Sequence, residues 1–219
     1  MLFEKLVKQN ENLWLDYVNH EFVKQLESGT LGRENFIFYL KQDYIYLINY
    51  AKAYARLAIN AKTPAELRFA LKCQNELIQG ELLLHQSILE LGIDTAKFSA
   101  FDESVVNIAY SRYLMSVGES GDFLDMLVAL SACAVGYAVI GKNIRRNLGQ
   151  IPANHPYKEW IDTYSSSEFL KEADEFVAFL NSYENVVNEP KFQRLSEIFA
   201  NVTRLEICFW QHGLKMELQ

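Results

Sequence analysis

Residues 33–60 read RENFIFYLKQDYIYLINYAKAYARLAIN, and their apolar side chains recur at steps of three and four. Phe36, Tyr39, Leu40, Leu47, Tyr50, Ala51, Tyr54 and Leu57 share one face of a 3.6-residue helix, so the stretch predicts one long helix with a continuous inward stripe. Asp43 lies on the same stripe. A carboxylate at an inward position needs a partner or a task, because burying a bare charge is costly.

Outward from this helix, Pro64, Pro152, Pro156 and Pro190 all fall between periodic segments, and no run alternates apolar and polar residues long enough for a strand. Thr63-Pro64-Ala65-Glu66 carries a Thr cap, a Pro at the first helical position and a Glu three residues after the cap, which predicts a capping box and a second long helix ending at Gly92. Ser165-Ser166-Ser167-Glu168 repeats that logic, and Gly121-Asp122 and the Pro190 region mark further starts. The expected helices are 2–18, 20–28, 33–60, 64–91, 103–117, 122–148, 156–164, 167–187 and 190–216. The fold class is all-α. With no internal repeat and no linker of unusual composition, 219 residues are expected to form a single-domain helical bundle spanning 1–219.

The longest stretch free of Asp, Glu, Lys and Arg, Met126 to Gly141, is shorter than the ~20 residues that span a bilayer and reads as a buried core helix, so no membrane role is expected. A formal net charge of −7 repels phosphate backbones and argues against nucleic acid as a partner. The one basic cluster, Lys142, Arg145 and Arg146, sits near a helix C-terminus, where cations complement the macrodipole. Met1-Leu2-Phe3-Glu4-Lys5 lacks the apolar run of a secretory signal, and three cysteines without metal-type spacing suit a reducing compartment. Both observations lead to the expectation of a cytoplasmic protein.

Four groups of residues could carry chemistry. Cys133 and Tyr137 are one turn apart in the charge-free helix, among the small residues Ala129, Ser131, Ala132, Ala134, Gly136 and Ala138. That setting suits either close helix packing or space for a ligand beside a thiol. Glu206 stands in the apolar run Leu205-Glu206-Ile207-Cys208-Phe209-Trp210, where a carboxylate must be paired, protonated or functional. Asp43, with Tyr46 nearby, poses the same question on the earlier helix. Glu81 and His85 are spaced i, i+4 and could place two metal ligands on one face, but no Glu-x-x-His occurs anywhere to complete a bundle-type metal pair. No metal site is therefore expected, and without a glycine-rich phosphate loop or a Gly-x-Ser-x-Gly, nucleotide cofactors and serine hydrolysis have no local support.

Taken in order, Gly29-Thr30-Leu31, residues 39–47 (Tyr39 to Leu47), Ala109-Tyr110-Ser111, Cys133-Ala134-Val135-Gly136-Tyr137, residues 155–161 (His155 to Ile161) and Glu206-Ile207-Cys208-Phe209-Trp210 resemble the TenA, or thiaminase II, family over nearly the whole chain. The resemblance implies a haem-oxygenase-like helical bundle, a homotetramer, no haem or metal cofactor, and hydrolysis of aminomethyl-aminopyrimidine or thiamin to hydroxymethylpyrimidine in thiamin salvage. It implies that Cys133 is a nucleophile adding to the pyrimidine ring and that Glu206 protonates a ring nitrogen. It further implies that Asp43 binds the ring's amino edge and that Tyr46 hydrogen-bonds the thiol. Tyr137 and Tyr164 contact the substrate and Tyr110 stacks on the ring. On this reading Cys73 and Cys208 are packing residues. Family members commonly carry bulkier aromatics between the equivalents of Cys133 and Tyr137, so Val135 and Gly136 are expected to widen or reshape the pocket. Two other readings use the same bundle: a di-iron or haem oxygenase, and a regulatory protein that binds a pyrimidine without turning it over.

Overall fold

The computed structural model describes residues 1–83, 85 and 102–219. The described residues form helices joined by short turns, with no strand among them. In chain order the helices are α1 (Leu2–Gln9), α2 (Glu11–Val18), α3 (Glu21–Ser28), α4 (Arg33–Asn60), α5 (Pro64–Gln79), α6 (Val105–Ser120), α7 (Phe123–Leu148), α8 (Lys158–Tyr164), α9 (Ser167–Asn181) and α10 (Glu189–Lys215). Glu81, Leu82, Leu83 and His85 are helical as well, while the remainder of the segment expected as helix up to residue 91 lies outside the described residues.

The caps read from sequence are present. Thr63 Oγ1 accepts from the Glu66 amide at 3.2 Å while a Glu66 carboxylate oxygen accepts from the Thr63 amide at 2.9 Å. Ser166 caps α9 by accepting from the Phe169 amide, and Asp122 and Asp125 exchange side-chain-to-amide bonds at the start of α7. Two boundaries differ from expectation. The segment 2–18 is two helices, because Asn10 adopts φ −118° and ψ 29° and turns its amide to Leu6 O and Ser196 Oγ. The helix expected to reach residue 187 ends at Asn181, whose side-chain oxygen accepts from the Phe3 amide at 2.8 Å, and a short 3₁₀ turn, Glu184–Val186, follows.

The chain groups into two compact units. One comprises Met1–Leu31 and Leu127–Trp210. Its core is aromatic: Trp14 stacks on Phe199 at 5.6 Å between ring centroids, and Phe22 on Trp210 at 4.9 Å. Burying such rings removes about 150–250 Å² each from water, with roughly 0.5–1.5 kcal/mol more per well-oriented pair. Helix α7 is long and apolar enough to cross a membrane by length and composition, but 89% of its most apolar window is buried within the protein, which makes it the core helix the sequence implied.

The other unit comprises Gly32–Met126 and Gln211–Gln219, with α4 packed against α5 and α6. A buried amide network fixes the start of α6 against α4. Gln42 donates to Asp102 O at 2.6 Å and accepts from the Ser104 amide at 2.9 Å, and Asn107 donates back to Gln42 O at 2.8 Å. Of these bonds, the one from the Ser104 amide satisfies a donor at the α6 N-terminus that has no partner within the helix. Together the bonds also set the register that carries Tyr110, one turn beyond Asn107, to Tyr46, one turn beyond Gln42.

Candidate active site

In the unit containing α4, Asp43 is 2% exposed and His85 fully buried. The Tyr39 hydroxyl, one turn before Asp43 on the same stripe, donates to Asp43 Oδ2 at 2.9 Å, and His85 Nε2 lies 2.8 Å from the same oxygen. The other ring nitrogen, Nδ1, lies 2.8 Å from the main-chain carbonyl of Glu81. Burial disfavours the imidazolium, but the charge of Asp43 and the hydrogen bond to it outweigh that cost and raise the His85 pKa above 6.5. Three residues on from Asp43, the Tyr46 ring lies 4.8 Å from that of Tyr110 and 5.3 Å from that of Tyr50. Tyr110, distant in sequence from Asp43 and Tyr46, thus falls within a turn of α6 that neighbours theirs on α4.

In the unit containing the greater part of α7, Cys133 and Tyr137 are buried at 6% and 3% exposure. The Tyr137 ring contacts those of Tyr164 at 5.1 Å, Trp210 at 5.2 Å and Trp160 at 6.1 Å. Glu206, one turn before Trp210 on α10, is 1% exposed. Two glycines of α7 build this arrangement. A methyl on Gly141 would stand 2.2 Å from the carbonyl oxygen of Tyr164, so only glycine lets the end of α8 approach closely enough to lay Tyr164 beside Tyr137. A methyl on Gly136 would stand 2.2 Å from Cε1 of Tyr17, whose hydroxyl lies 3.4 Å from Ala132 O. The bulk missing at Gly136 is therefore supplied by Tyr17. The expectation is a wider or reshaped pocket at Val135 and Gly136; at Gly136 the space is occupied by Tyr17.

Two further readings change. His85 turns one nitrogen to the Glu81 carbonyl and the other to Asp43, so Glu81 and His85 do not act as a two-ligand face. Among the described residues no group of three or more His, Cys, Asp or Glu side chains clusters as metal ligands would. Cys208 is exposed and Cys73 half-buried, so Cys208 is not a packing residue: two positions beyond Glu206, it projects from the opposite side of α10. The Tyr39–Asp43 pair could have been read from its i, i+4 spacing on the inward stripe. The link to His85, 42 positions after Asp43, carries no local signal.

Residues 7–216 match the TENA/THI-4/PQQC family. The chain is 30% identical over 207 residues to the aminopyrimidine aminohydrolase of Halalkalibacterium halodurans, covering 94% of this chain and 92% of that protein. A crystal structure of a TenA family transcription regulator from Silicibacter sp. superposes with a TM-score of 0.91 at 34% identity, over 98% of this chain and 96% of that one. A domain of unknown function from Shewanella denitrificans, described as having a heme oxygenase-like fold, is similar at a TM-score of 0.73 and 19% identity, over 98% of this chain and 92% of that one, which speaks to the fold alone. The fold is the haem-oxygenase-like helical bundle. The chain belongs to the TENA/THI-4/PQQC family.

Proposed function

We propose that the chain hydrolyses 4-amino-5-aminomethyl-2-methylpyrimidine to 4-amino-5-hydroxymethyl-2-methylpyrimidine, with thiamin as a second substrate, through a covalent adduct on Cys133. It is an enzyme of thiamin metabolism, a hydrolase of C–N bonds. The observation that carries the finer reading is the near-full-length similarity to an aminopyrimidine aminohydrolase in a chain whose α7 buries a thiol one turn from a tyrosine.

The chemistry explains why these residue types are needed. An aromatic pyrimidine resists a nucleophile until a ring nitrogen is protonated, and a sheltered carboxylic acid such as Glu206 suits that donation. The sulfur of Cys133 then adds to a ring carbon. The electrons of the adduct expel the amine of the 5-aminomethyl group, which takes up a proton from solvent and leaves as ammonia; water adds to the methylene so formed, and the thiol departs as the ring regains aromaticity. Asp43, Tyr46, Tyr110, Tyr137 and Tyr164 keep the roles that the resemblance implies: binding the amino edge, supporting the thiol and contacting the ring.

The same reading includes a cytoplasmic homotetramer. In support, Leu67 and Leu71, one turn apart on α5, are 43% and 49% exposed, and Ile59 at the end of α4 is 70% exposed, apolar surface of the kind interfaces use. Light scattering at micromolar concentration tests it, and a monomeric mass refutes it. The deciding experiment for the activity is mass-spectrometric detection of hydroxymethylpyrimidine released from each substrate, with and without chelator. Release from the aminopyrimidine should be the faster and should persist with chelator. Activity that vanishes with chelator and returns with iron would instead favour the oxygenase reading.

A further inference from the structure

His85 belongs to none of the roles above, yet it is fully buried and in direct contact with Asp43. Its hydrogen-bond geometry determines its protonation. A main-chain carbonyl only accepts, so Nδ1, 2.8 Å from Glu81 O, must carry a hydrogen. Nε2 lies 2.8 Å from Asp43 Oδ2, a contact that requires one further proton between imidazole and carboxylate. The raised pKa of His85 is consistent with that proton residing on the ring. Tyr39 donates to the same oxygen at 2.9 Å. Oδ2 therefore receives both contacts, and among the described residues no hydrogen bond reaches Oδ1.

We propose that His85 is a positioning residue for Asp43: anchored by the Glu81 carbonyl, it joins Tyr39 in occupying Oδ2 and so orients the carboxylate with Oδ1 presented to accept a hydrogen bond from the amino group of a bound aminopyrimidine. This rests on the reading of Asp43 as the ring-binding carboxylate. The arrangement resembles the carboxylate–imidazole pairs in which one member fixes the rotamer and charge of the other. Its consequence is that ring affinity depends on a residue that does not touch the ring. Among the described residues, the charged and titratable groups facing the imidazole are Asp43 and Tyr39 from α4 and Glu81 from the turn before His85. When the shared proton is lost at alkaline pH, the Nε2 lone pair faces a carboxylate oxygen, the pair repels, and Asp43 rotates from its binding rotamer.

The test is calorimetric binding of hydroxymethylpyrimidine to the full chain across neutral to alkaline pH, alongside KM and kcat for the aminopyrimidine. Wild type should lose affinity on an alkaline limb. His85→Gln, which keeps an amide donor of similar reach, should bind about tenfold more weakly near neutral pH, as expected for losing a charge-assisted contact. It should lack the alkaline limb and show a larger change in KM than in kcat. His85→Ala should weaken binding further; if it does not fold, His85→Gln decides alone. Asp43→Asn separates the two possible failures. If Asp43→Asn binds the ring as wild type does, Asp43 is not the ring-binding carboxylate. If Asp43→Asn loses the ring while His85→Gln keeps wild-type affinity and the alkaline limb, the positioning role of His85 is overturned and the reading of Asp43 survives.

Discussion

The surroundings of Asp43 and of Cys133 are organised by different forces. Asp43 is held by polar contacts: a tyrosine hydroxyl donates to one of its oxygens, an imidazole nitrogen lies 2.8 Å from the same oxygen, and a backbone carbonyl anchors the imidazole. Cys133 sits in a helix whose environment is set by shape, with Tyr137 wedged among Tyr164, Trp160 and Trp210 and two glycines admitting Tyr17 and the end of α8. Hydrogen bonds specify charge and angle, and close packing specifies distance. A change of polarity at Asp43 should therefore register as lost affinity. A change of volume along α7 should register as lost stability and misplaced rings.

The sharpest break in this comparison is Cys133→Ser. On the proposed mechanism it should reduce turnover on the order of 10³-fold or more while leaving ring binding and the fold intact, because the hydroxyl is a poor nucleophile here without a dedicated base. Single-turnover kinetics with a parallel binding measurement check it, and near wild-type turnover would end the covalent mechanism. Glu206→Gln should cost about 10²-fold in kcat, the scale of a lost general acid, read from steady-state kinetics. Asp43→Asn should act mainly on KM, raising it about tenfold, since its effect falls on a hydrogen bond to the ring.

Packing is tested by Gly141→Ala. The added methyl meets backbone rather than a flexible side-chain end, so unfolding free energy should fall by about 1–3 kcal/mol, measurable by urea titration, and Tyr164 should shift from Tyr137. The smallest effect concerns pH. His85 has a folded-state pKa raised above 6.5, so its contribution to stability is complete below about 6.5 and is lost as pH rises through the folded value. Wild type should lose more stability than His85→Gln on moving from pH 6.5 to the alkaline side, read from melting curves of both proteins; parallel curves would show that the pair does not stabilise the fold.

Local rules explain which parts of this molecule the sequence reveals. The helices and their caps follow from periods and spacings within a few residues, and Thr63, Asp122 and Ser166 act as their positions suggest. The break at Asn10 was hidden because its cause, Ser196, is 186 positions away. Gly136 signals a missing side chain without showing that Tyr17 fills the space. The i, i+4 spacing of Glu81 and His85 suggests ligands on a helix face, whereas the bond formed uses the Glu81 backbone, whose role no side-chain pattern encodes. Tyr137 and Tyr164 were linked in sequence only through the family resemblance, and the close approach at Gly141 now supplies the physical reason they meet.

Cys208 stands on the exposed side of α10, two positions beyond Glu206. On the proposed mechanism, thiol accessibility and thiol chemistry are thus divided between two residues of one unit, Cys208 exposed and Cys133 buried. A bulky maleimide should label Cys208 first and leave turnover untouched, so inactivation by such a reagent is informative about Cys133 only in a Cys208→Ser background. In preparations kept without reductant, disulfide-linked pairs joined through Cys208 should accumulate on a non-reducing gel with their activity preserved. The same side chain offers a point for tethering the enzyme to a surface or carrying a fluorophore on the helix that holds the proposed proton donor.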